Sequence, residues 1–304
     1  MRQSVTVVGA TGLLGSGICQ RLAERGHPVR ALVRPTSAPG RMARLEQSGV
    51  ELARGDLKDR ASLDAVCSGA QVVISTASST LSSQPGDSIQ TVDLEGQLSL
   101  IEAARKAGVE HFVFVSFAPL RGSFPLQDAK RAVEQHLMRS GLPFTILRPT
   151  HFMEVWLSPA LGFDYVHARA RILGTGQSTM NWISLEDVAR FAVGALESPR
   201  ARNALLELGG EEALSQLDVV HEFEAHGGRG FELDYIPEQE LRRQFTEACD
   251  PLQRSFAGLM LNTALGSQLD PKPALEAIPL RPRTVRDYVR QVLGSPREIS
   301  MPAQ

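Results

Sequence analysis

A strand followed directly by three regularly spaced glycines constrains this chain more than any other feature. Residues 5–8 are valines and a threonine, and Gly9, Gly12 and Gly15 follow at intervals of three. After Gly15 the apolar residues recur with the period of an α-helix. This order predicts a dinucleotide-binding turn, because glycine lets backbone approach a pyrophosphate and the helix N-terminus offers it free N–H groups. The alternative is a purely structural connection between strand and helix.

The alternation of strands and helices continues along the first half of the chain. Further strands are predicted at residues 29–34, 50–54, 70–75, 111–116 and 144–149. The helices after the first are predicted at residues 41–49, 61–67, 89–107 and 128–140. A helix over 187–196 and a last strand over 204–210 complete the pattern. Such alternation predicts an α/β fold with a doubly wound parallel Rossmann sheet.

Beyond Pro149 the alternation weakens, which predicts a small α+β C-terminal substrate subdomain. The dinucleotide-binding domain is assigned to residues 1–150 and about 181–210, and the subdomain to residues 151–180 and 211–304. Its predicted elements are helices at 215–225, 237–245, 251–261 and 283–293 and a strand at 231–236. These segments are too short to suggest an independent core, so we expect them to cap the carboxyl edge of the sheet and form a pocket.

Composition and charge argue against several other classes of protein. The formal net charge is −2 and the pI is about 6.4, so no basic surface predicts binding to nucleic acid or to a membrane. The three cysteines are far apart, and a core strand begins at residue 5. Both features lead us to expect a cytoplasmic protein without a signal peptide. Histidines and carboxylates do not cluster at the spacing of metal ligands, so no metal site is predicted. The expected assembly is a monomer or a homodimer.

The carboxyl ends of the strands supply the candidate cofactor contacts. The second strand ends in Arg34, with Arg41 nearby, where NAD-selective proteins usually carry an acidic residue. A guanidinium binds phosphate bidentately, so Arg34 predicts a preference for NADP, and a solvated strand-end charge is the alternative. The contacts predicted in this way are Gly9, Thr11, Gly12, Leu13, Leu14, Gly15, Arg34, Arg41, Asp56, Leu57, Thr76, Ala77 and Ser78. The loop Ser79–Asp87 that follows is rich in Ser, Pro and Gly and is predicted to be mobile.

With these segments in place, the chain resembles the NmrA-like and isoflavone-reductase-like family of atypical short-chain dehydrogenases/reductases. The resemblance lies in the stretches VTVVGATGLLG, ALVR, GDLKDRASLDAV, VVISTAS, HFVFVSF, AKRAVEQHLMRSGLPFTILRPTHFME, ISLEDVARFAV and TVRDYVRQVL. Together they cover most of residues 1–210 and touch the remainder loosely. The resemblance implies an NADP-binding Rossmann domain and a small C-terminal substrate domain.

The resemblance also implies a catalytic role for Lys130. Reductases of the family carry a lysine eleven residues before the glycine of an SGLP turn, which is Gly141 here. That lysine would hold the nicotinamide ribose and organise proton transfer, with Pro149 and Phe152 also beside the cofactor. The alternative is a solvated lysine at the start of an amphipathic helix.

The chain departs from the larger superfamily in its missing Tyr-x-x-x-Lys pair. Leu126 stands four residues before Lys130, so the sequence places no phenol to protonate a substrate oxygen. Ser116 follows the fifth strand, near the position where the superfamily carries a Ser or Thr. It is a second candidate catalytic residue, with a purely local role at the strand end as the alternative.

An aromatic segment after the sixth strand is the candidate substrate wall. The predicted substrate contacts are His151, Phe152, Met153, Trp156, Phe256 and Met260. Packing against the sheet is the alternative for the apolar members of this set. His151 attracts attention as an acid because imidazole titrates near neutral pH, but a structural histidine is the more common case.

The sequence therefore predicts an NADPH-dependent reductase of a small apolar or aromatic acceptor. A quinone, a carbonyl or a conjugated C=C would suit, and conjugated acceptors need little proton donation from the protein. The main alternative is a non-catalytic NAD(P)-binding redox sensor of the NmrA type, although retention of Lys130 favours an enzyme. An epimerase or dehydratase fits less well, because those relatives rely on the absent tyrosine.

Overall fold

The computed structural model describes residues 2–82 and 84–294. Its strands are β1 (Val5–Val8), β2 (Val29–Val33), β3 (Glu51–Arg54), β4 (Val72–Ser75), β5 (His111–Val115), β6 (Phe144–Pro149), β7 (His151–Phe152), β8 (Phe163–Asp164), β9 (Arg169–Leu173), β10 (Thr179–Ile183), β11 (Ala204–Leu208), β12 (Ala213–Ser215) and β13 (Glu232–Ile236). Seven of these strands form the central sheet, in the order β11-β6-β5-β4-β1-β2-β3.

Every neighbouring pair in the central sheet is parallel. The chain runs outward from β1 through β2 and β3, then returns to the other side of β1 and continues through β4, β5 and β6. This reversal makes the sheet doubly wound, as predicted. It also opens a crevice at the carboxyl ends of β1 and β4, which is where ligands bind in such sheets.

Twelve α-helices lie within the described residues. They are α1 (Leu13–Glu24), α2 (Pro39–Gln47), α3 (Arg60–Cys67), α4 (Gln97–Lys106), α5 (Pro125–Arg139), α6 (Met153–Trp156), α7 (Leu185–Gly194), α8 (Gln216–Gly227), α9 (Glu238–Glu247), α10 (Pro251–Leu265), α11 (Lys272–Ala277) and α12 (Val285–Gly294). None of them is long and apolar enough to cross a membrane. Two small three-stranded sheets, β12-β10-β7 and β13-β9-β8, lie outside the central sheet.

The predicted continuous α-helix over residues 89–107 is wrong in its first half. Ile89–Gly96 is a π-helical segment, and α4 begins only at Gln97. The wider turn buries Val92 and Asp93 next to one another. Apolar periodicity does not separate the two helix types over so short a stretch, and π-helical turns are frequent at functional sites.

The alternation of side chains along the buried strands gives the central sheet two apolar faces. Val7 packs with α1 and α7 on one face, whereas Val8 packs with α3 and α4 on the other. Phe114 belongs to the second face, together with Val133 of α5. Both faces of the sheet are therefore covered by helices, and its carboxyl edge remains for a ligand.

The expectation that the C-terminal segments lack a core of their own is corrected by the structure. Met153, Phe163 and Trp182 pack with α8 and α12 into a separate apolar cluster. β10 contributes to this cluster and pairs with β7 and β12, so residues 179–183 are not part of the central sheet. The segments are individually short, but the two small sheets bring them together. Strands β8, β9 and β12 and helix α11 carried too little periodic signal to be predicted.

Gly15→Ala is expected to destabilise the protein, because an added Cβ would lie 2.2 Å from the carbonyl oxygen of Gly9. The free energy of unfolding should fall by about 1–3 kcal/mol, as for other overpacked sites. Gly17→Ala is the matched control on the same helix, since its Cβ would meet only Ala189 at 3.9 Å. Urea unfolding should show the control gaining about 0.5–1 kcal/mol. Equal effects of the two substitutions would contradict this account of the turn.

Candidate active site

The three glycines of the first turn have different roles in the structure. Gly9 has a φ of +85°, and Gly15 has no room for a side chain, so both are required by the backbone path. Gly12 is exposed, has an ordinary φ of −77°, and would place a Cβ near only one atom, the Gly9 carbonyl oxygen at 3.2 Å. The φ is one that any residue adopts, and the contact, although tight, is with a single oxygen, so the fold demands glycine less strongly here than at Gly9 or Gly15. Gly12 leaves open backbone at the N-terminus of α1, which suits an anionic ligand.

No side chain among the described residues caps the N-terminus of α1. Gly12 is its N-cap residue, and its own N–H donates to the Gly9 carbonyl at 3.0 Å. Leu13 is exposed beside it, whereas Leu14 packs against the core. Arg41 reaches back from α2 to donate to the Thr11 carbonyl at 3.2 Å. The predicted contacts of the turn thus surround a helix end whose first N–H groups are free to bind an anion.

Arg34, at the end of β2, is paired with a carboxylate from another part of the chain. One Asp87 oxygen accepts from the Arg34 guanidinium at 2.5 Å, and the other accepts from Lys58 Nζ at 2.5 Å. Ser82 donates to the same carboxylate at 2.5 Å. Burial opposes ionisation of Asp87, but these donors hold its pKa below the usual value.

The other residues predicted near the cofactor follow β3, β4 and β6. Asp56 accepts from the Lys58 N–H, and the Leu57 side chain is buried in the core. Thr76 and Ala77 press against Gly9, and the Ser78 hydroxyl lies 3.2 Å from that of Thr80. The remaining two are Pro149, which is buried at the end of β6, and Phe152, which is half-buried against the core. Each member of this group lies at a strand end or within three residues of one.

Lys130 lies in the first half of α5 and is almost completely buried. Its Nζ is 3.2 Å from Asp93 Oδ1 and 5.1 Å from the centre of the Phe114 ring. The second Asp93 oxygen accepts from the N–H and the hydroxyl of Ser79, at 2.9 and 2.6 Å. The solvated-lysine alternative is therefore excluded. A buried ammonium held by one carboxylate retains N–H donors for a further ligand.

Three buried polar oxygens have no hydrogen-bond partner within residues 2–82 and 84–294. They are Ser116 Oγ after β5, Thr150 Oγ1 after β6, and Asp93 Oδ1 beside Lys130. Buried polar groups are normally hydrogen-bonded, so such a group at a cleft suggests a missing ligand. Ser116 and Thr150 both follow adjacent parallel strands of the central sheet. Asp93 Oδ1 is ion-paired with Lys130, and the two hydroxyls suit the polar groups of a nicotinamide ribose or of an acceptor.

A second buried carboxylate holds α5 against the sheet. Glu134 accepts from Arg148 at 2.5 and 3.1 Å, and it also pairs with Arg131. Burial opposes ionisation of Glu134, but the arginines keep its pKa below the usual value. The Ser116 hydroxyl lies near Glu134 as well, although it forms no hydrogen bond with it. Glu134 lies one turn after Lys130, so this network fixes the part of α5 that carries the lysine.

His151, Met153 and Trp156 lie in the interior of the C-terminal part of the chain. The His151 ring packs against Trp156 and Trp182, with ring centres 4.8 and 5.7 Å apart. Its Nε2 is 3.0 Å from the Thr263 hydroxyl on α10. Burial lowers the pKa of His151 to about 4, so the ring is neutral at pH 7. This arrangement favours the structural role that the sequence left open.

Helix α10, which carries Phe256 and Met260, packs against the beginning of α5. The Leu126 N–H donates to Ser255 on α10 at 3.0 Å, and a Cβ on Gly258 would lie 2.9 Å from Phe124. Met260 packs in an apolar cluster, and Phe256 is half-buried. The helix therefore approaches the end of α5 from which Lys130 projects.

Several residues of this region escaped the sequence analysis. They are Lys58, Asp87, Asp93, Glu134, Arg148 and Thr150. Lys58 stands inside the GDLKD stretch, and an aspartate within an apolar helical pattern could have drawn attention to Asp93. Their partners are distant in sequence, so pairing could not be inferred. No group of three or more His, Cys, Asp or Glu in the described part of the chain is arranged to hold a metal ion.

Known proteins similar to this chain include both enzymes and an assembly factor. A sequence model of the NmrA-like family matches residues 1–289. The NAD(P)H azoreductase of Xenophilus azovorans is 31% identical over 227 residues, which is 74% of this chain and 74% of that protein. The photosystem II assembly factor Ycf39 of Trieres chinensis is 30% identical over 241 residues, or 77% of this chain and 72% of that protein.

A solved structure shares the fold along almost the whole chain. It is the NADPH-dependent quinone oxidoreductase QOR2 of Escherichia coli, complexed with NADPH. The TM-score is 0.75 at 21% identity, and the match covers 95% of this chain and 99% of that one. The architecture of the central sheet with its C-terminal part is thus a known one.

The neutral state of buried His151 predicts a loss of stability in mild acid. Its folded pKa of about 4 lies below the ordinary value of 6.5, so the unfolded chain binds the proton more readily. Stability should therefore fall as the pH drops from about 6.5 towards 4, by up to roughly 3 kcal/mol from this group. His151→Gln should remove that part of the slope in urea unfolding. The part of the slope that remains should come from His111, because burial also lowers the pKa of His111 to about 4.

A pH profile of turnover that shifts in His151→Gln while the stability profile stays unchanged would argue for chemistry by the imidazole instead.

Proposed function

Because the chain belongs to the NmrA-like family, we propose that its cleft binds NADPH and reduces a small apolar or aromatic acceptor. The observation that carries the proposal is buried Lys130, which lies beside Asp93 at the same edge of the sheet as the glycine turn. Bound NADPH supplies the hydride from its nicotinamide, so the protein's work is to bind and orient. A quinone, an azo compound or another conjugated electrophile is the proposed acceptor class.

The glycine turn and two cations would hold the adenosine half of the cofactor. The free N–H groups at the start of α1 suit the pyrophosphate, with Gly12 leaving room for its approach. Arg34 and Lys58, at the ends of β2 and β3, suit a 2′-phosphate. This pairing of cations supports NADPH rather than NADH as the cofactor.

The opposite end of the cleft would orient the reacting groups. Lys130 Nζ has donors left over from its pairing with Asp93, and the hydroxyls of Ser116 and Thr150 have no partner among the described residues. We assign Lys130 to the nicotinamide ribose and to the acceptor atom that gains negative charge. Ser116 and Thr150 would position the nicotinamide or the acceptor. A buried ammonium is effective here because the low local polarity strengthens its hydrogen bonds.

The missing phenol supports conjugated acceptors over simple ketones. Leu126 occupies the position where a tyrosine would stand, and its side chain is buried in an apolar cluster with Leu252 and Leu259 of α10. Conjugated acceptors such as quinones spread the charge that follows hydride transfer, so a single ammonium suffices. The names of the azoreductase and the quinone oxidoreductase among the similar proteins agree with this class.

A binding role without turnover is the second candidate. Its support is that one relative of similar identity is named a photosystem II assembly factor. A protein of that kind would bind the dinucleotide and oxidise no NADPH with any acceptor. The two candidates differ in turnover alone, so binding and turnover must be measured on the same preparations.

Gly12→Ala is expected to remove dinucleotide binding while leaving the fold intact. The new Cβ meets only the Gly9 carbonyl oxygen at 3.2 Å, but it occupies the surface proposed for the pyrophosphate. Calorimetric titration should show NADPH affinity reduced roughly a hundredfold, while the free energy of unfolding from urea titration stays within about 1 kcal/mol of wild type. Unchanged NADPH affinity in a folded variant would place the pyrophosphate elsewhere.

Lys130→Met is expected to abolish turnover but not NADPH binding. The rate of NADPH oxidation with quinone and azo acceptors should fall at least about a hundredfold. Because Asp93 would remain buried without its cation, stability should also fall, by about 3–5 kcal/mol.

The double variant Lys130→Met/Asp93→Asn separates these two effects. It removes both charges, so stability should recover while turnover stays low. Wild-type turnover in the double variant would exclude Lys130 from the reaction. NADPH binding by the wild type without oxidation of NADPH by any acceptor would favour the second candidate.

A further inference from the structure

Asp87 is a buried carboxylate that binds two cations at the adenosine end of the cleft. Its side chain is only 3% exposed, and both oxygens are engaged. Oδ2 accepts from Arg34 and from Ser82, and Oδ1 accepts from Lys58, each at 2.5 Å. A carboxylate with this number of strong donors occupies an anion site.

The topology places that anion site on the expected path of the cofactor. Arg34 directly follows β2, and Lys58 follows β3 closely, on one side of β1. Ser82 and Asp87 come from the connection after β4, on the other side of β1. The connection therefore crosses the carboxyl end of β1, where the glycine turn begins. From this connection, the Asp87 side chain reaches Arg34 and Lys58, the two cations that suit a 2′-phosphate.

We infer that Asp87 is an internal anion that competes with the cofactor's 2′-phosphate for Arg34 and Lys58, and so determines how strongly NADPH is preferred to NADH. This inference rests on the proposed binding of NADPH. Two anions cannot share the same donors without repulsion, so a 2′-phosphate must displace the Asp87 carboxylate. The cost of breaking these contacts lowers the affinity for NADPH.

NADH makes no such demand on the site. Its 2′-hydroxyl is uncharged, and a carboxylate at the end of β2 is the usual acceptor for that group. With Asp87 in place, the positive charge of Arg34 and Lys58 is partly neutralised, so the uncharged 2′-hydroxyl of NADH can lie beside them. Asp87 therefore reduces the difference in affinity between NADPH and NADH, even though Arg34 at the end of β2 by itself would favour NADPH.

The test measures binding of the adenosine end alone, with 2′,5′-ADP and 5′-AMP as probes, and of NADPH and NADH. Asp87→Asn keeps the shape of the side chain and removes its charge. Calorimetry should show 2′,5′-ADP and NADPH bound roughly three- to tenfold more tightly than by wild type. Affinities for 5′-AMP and NADH should stay within about twofold or weaken. Ser82→Ala, which removes one of the three donors, should shift the affinities in the same direction by less.

Asp64→Asn is the matched control, because Asp64 is a surface carboxylate paired with Arg60 and Lys106. It should change none of the four affinities. If NADPH binds but neither Asp87→Asn nor Ser82→Ala alters the ratio of NADPH to NADH affinity, the inference is overturned and the proposed function stands. If neither NADPH nor 2′,5′-ADP binds to wild type or to any variant, the proposed function itself fails.

Discussion

The close approach of the α1 backbone to the end of β1 is the contact on which the cleft depends. A side chain at residue 15 would collide with the Gly9 carbonyl, and one at residue 9 would collide with Thr76 and Ala77 after β4. The turn thus locks α1 to β1 and brings the end of β4 alongside. Once these backbones are fixed, the N-terminus of α1 must point into the crevice between the strands. Gly12 is the member of the motif that this packing requires least, which separates the needs of the fold from those of a ligand.

Buried charge is the second determinant of the site. The ion pair of Lys130 with Asp93 and the pairing of Glu134 with two arginines both lie on the face of α5 that meets the sheet. Apolar residues of similar size would often be as stable there, because charges lose their hydration on burial. The Glu134 network anchors α5 to β6. Lys130 is instead paired with a single carboxylate, which leaves N–H donors for a ligand.

The sequence predicted the central sheet well and the environment of the site only in part. Strand periodicity and the glycine turn depend on neighbouring residues, so β1 to β6 and the return strand β11 were confirmed. The pairs Lys130–Asp93 and Arg34–Asp87 join residues far apart in the chain, and only the folded topology brings them together. The separate C-terminal core was missed because each element is short, and its stability comes from small sheets whose pairings no local pattern reveals. The catalytic role of Lys130 was predicted from the family resemblance, whereas only the structure shows that its side chain is buried.

The π-helical segment Ile89–Gly96 connects the two ends of the cleft. Asp87 immediately precedes Ser88, the N-cap that binds Thr91 in a capping box, so the position of Asp87 is tied to the first turn of the segment. Asp93, one turn further on, binds Lys130 and also Ser79 at the start of the same connection. A regular α-helix would rotate Asp93 relative to Asp87, because each turn would hold fewer residues. The wider turn therefore sets the direction of Asp93, which faces Lys130, while Asp87 faces Arg34 from just before the capped start of the segment.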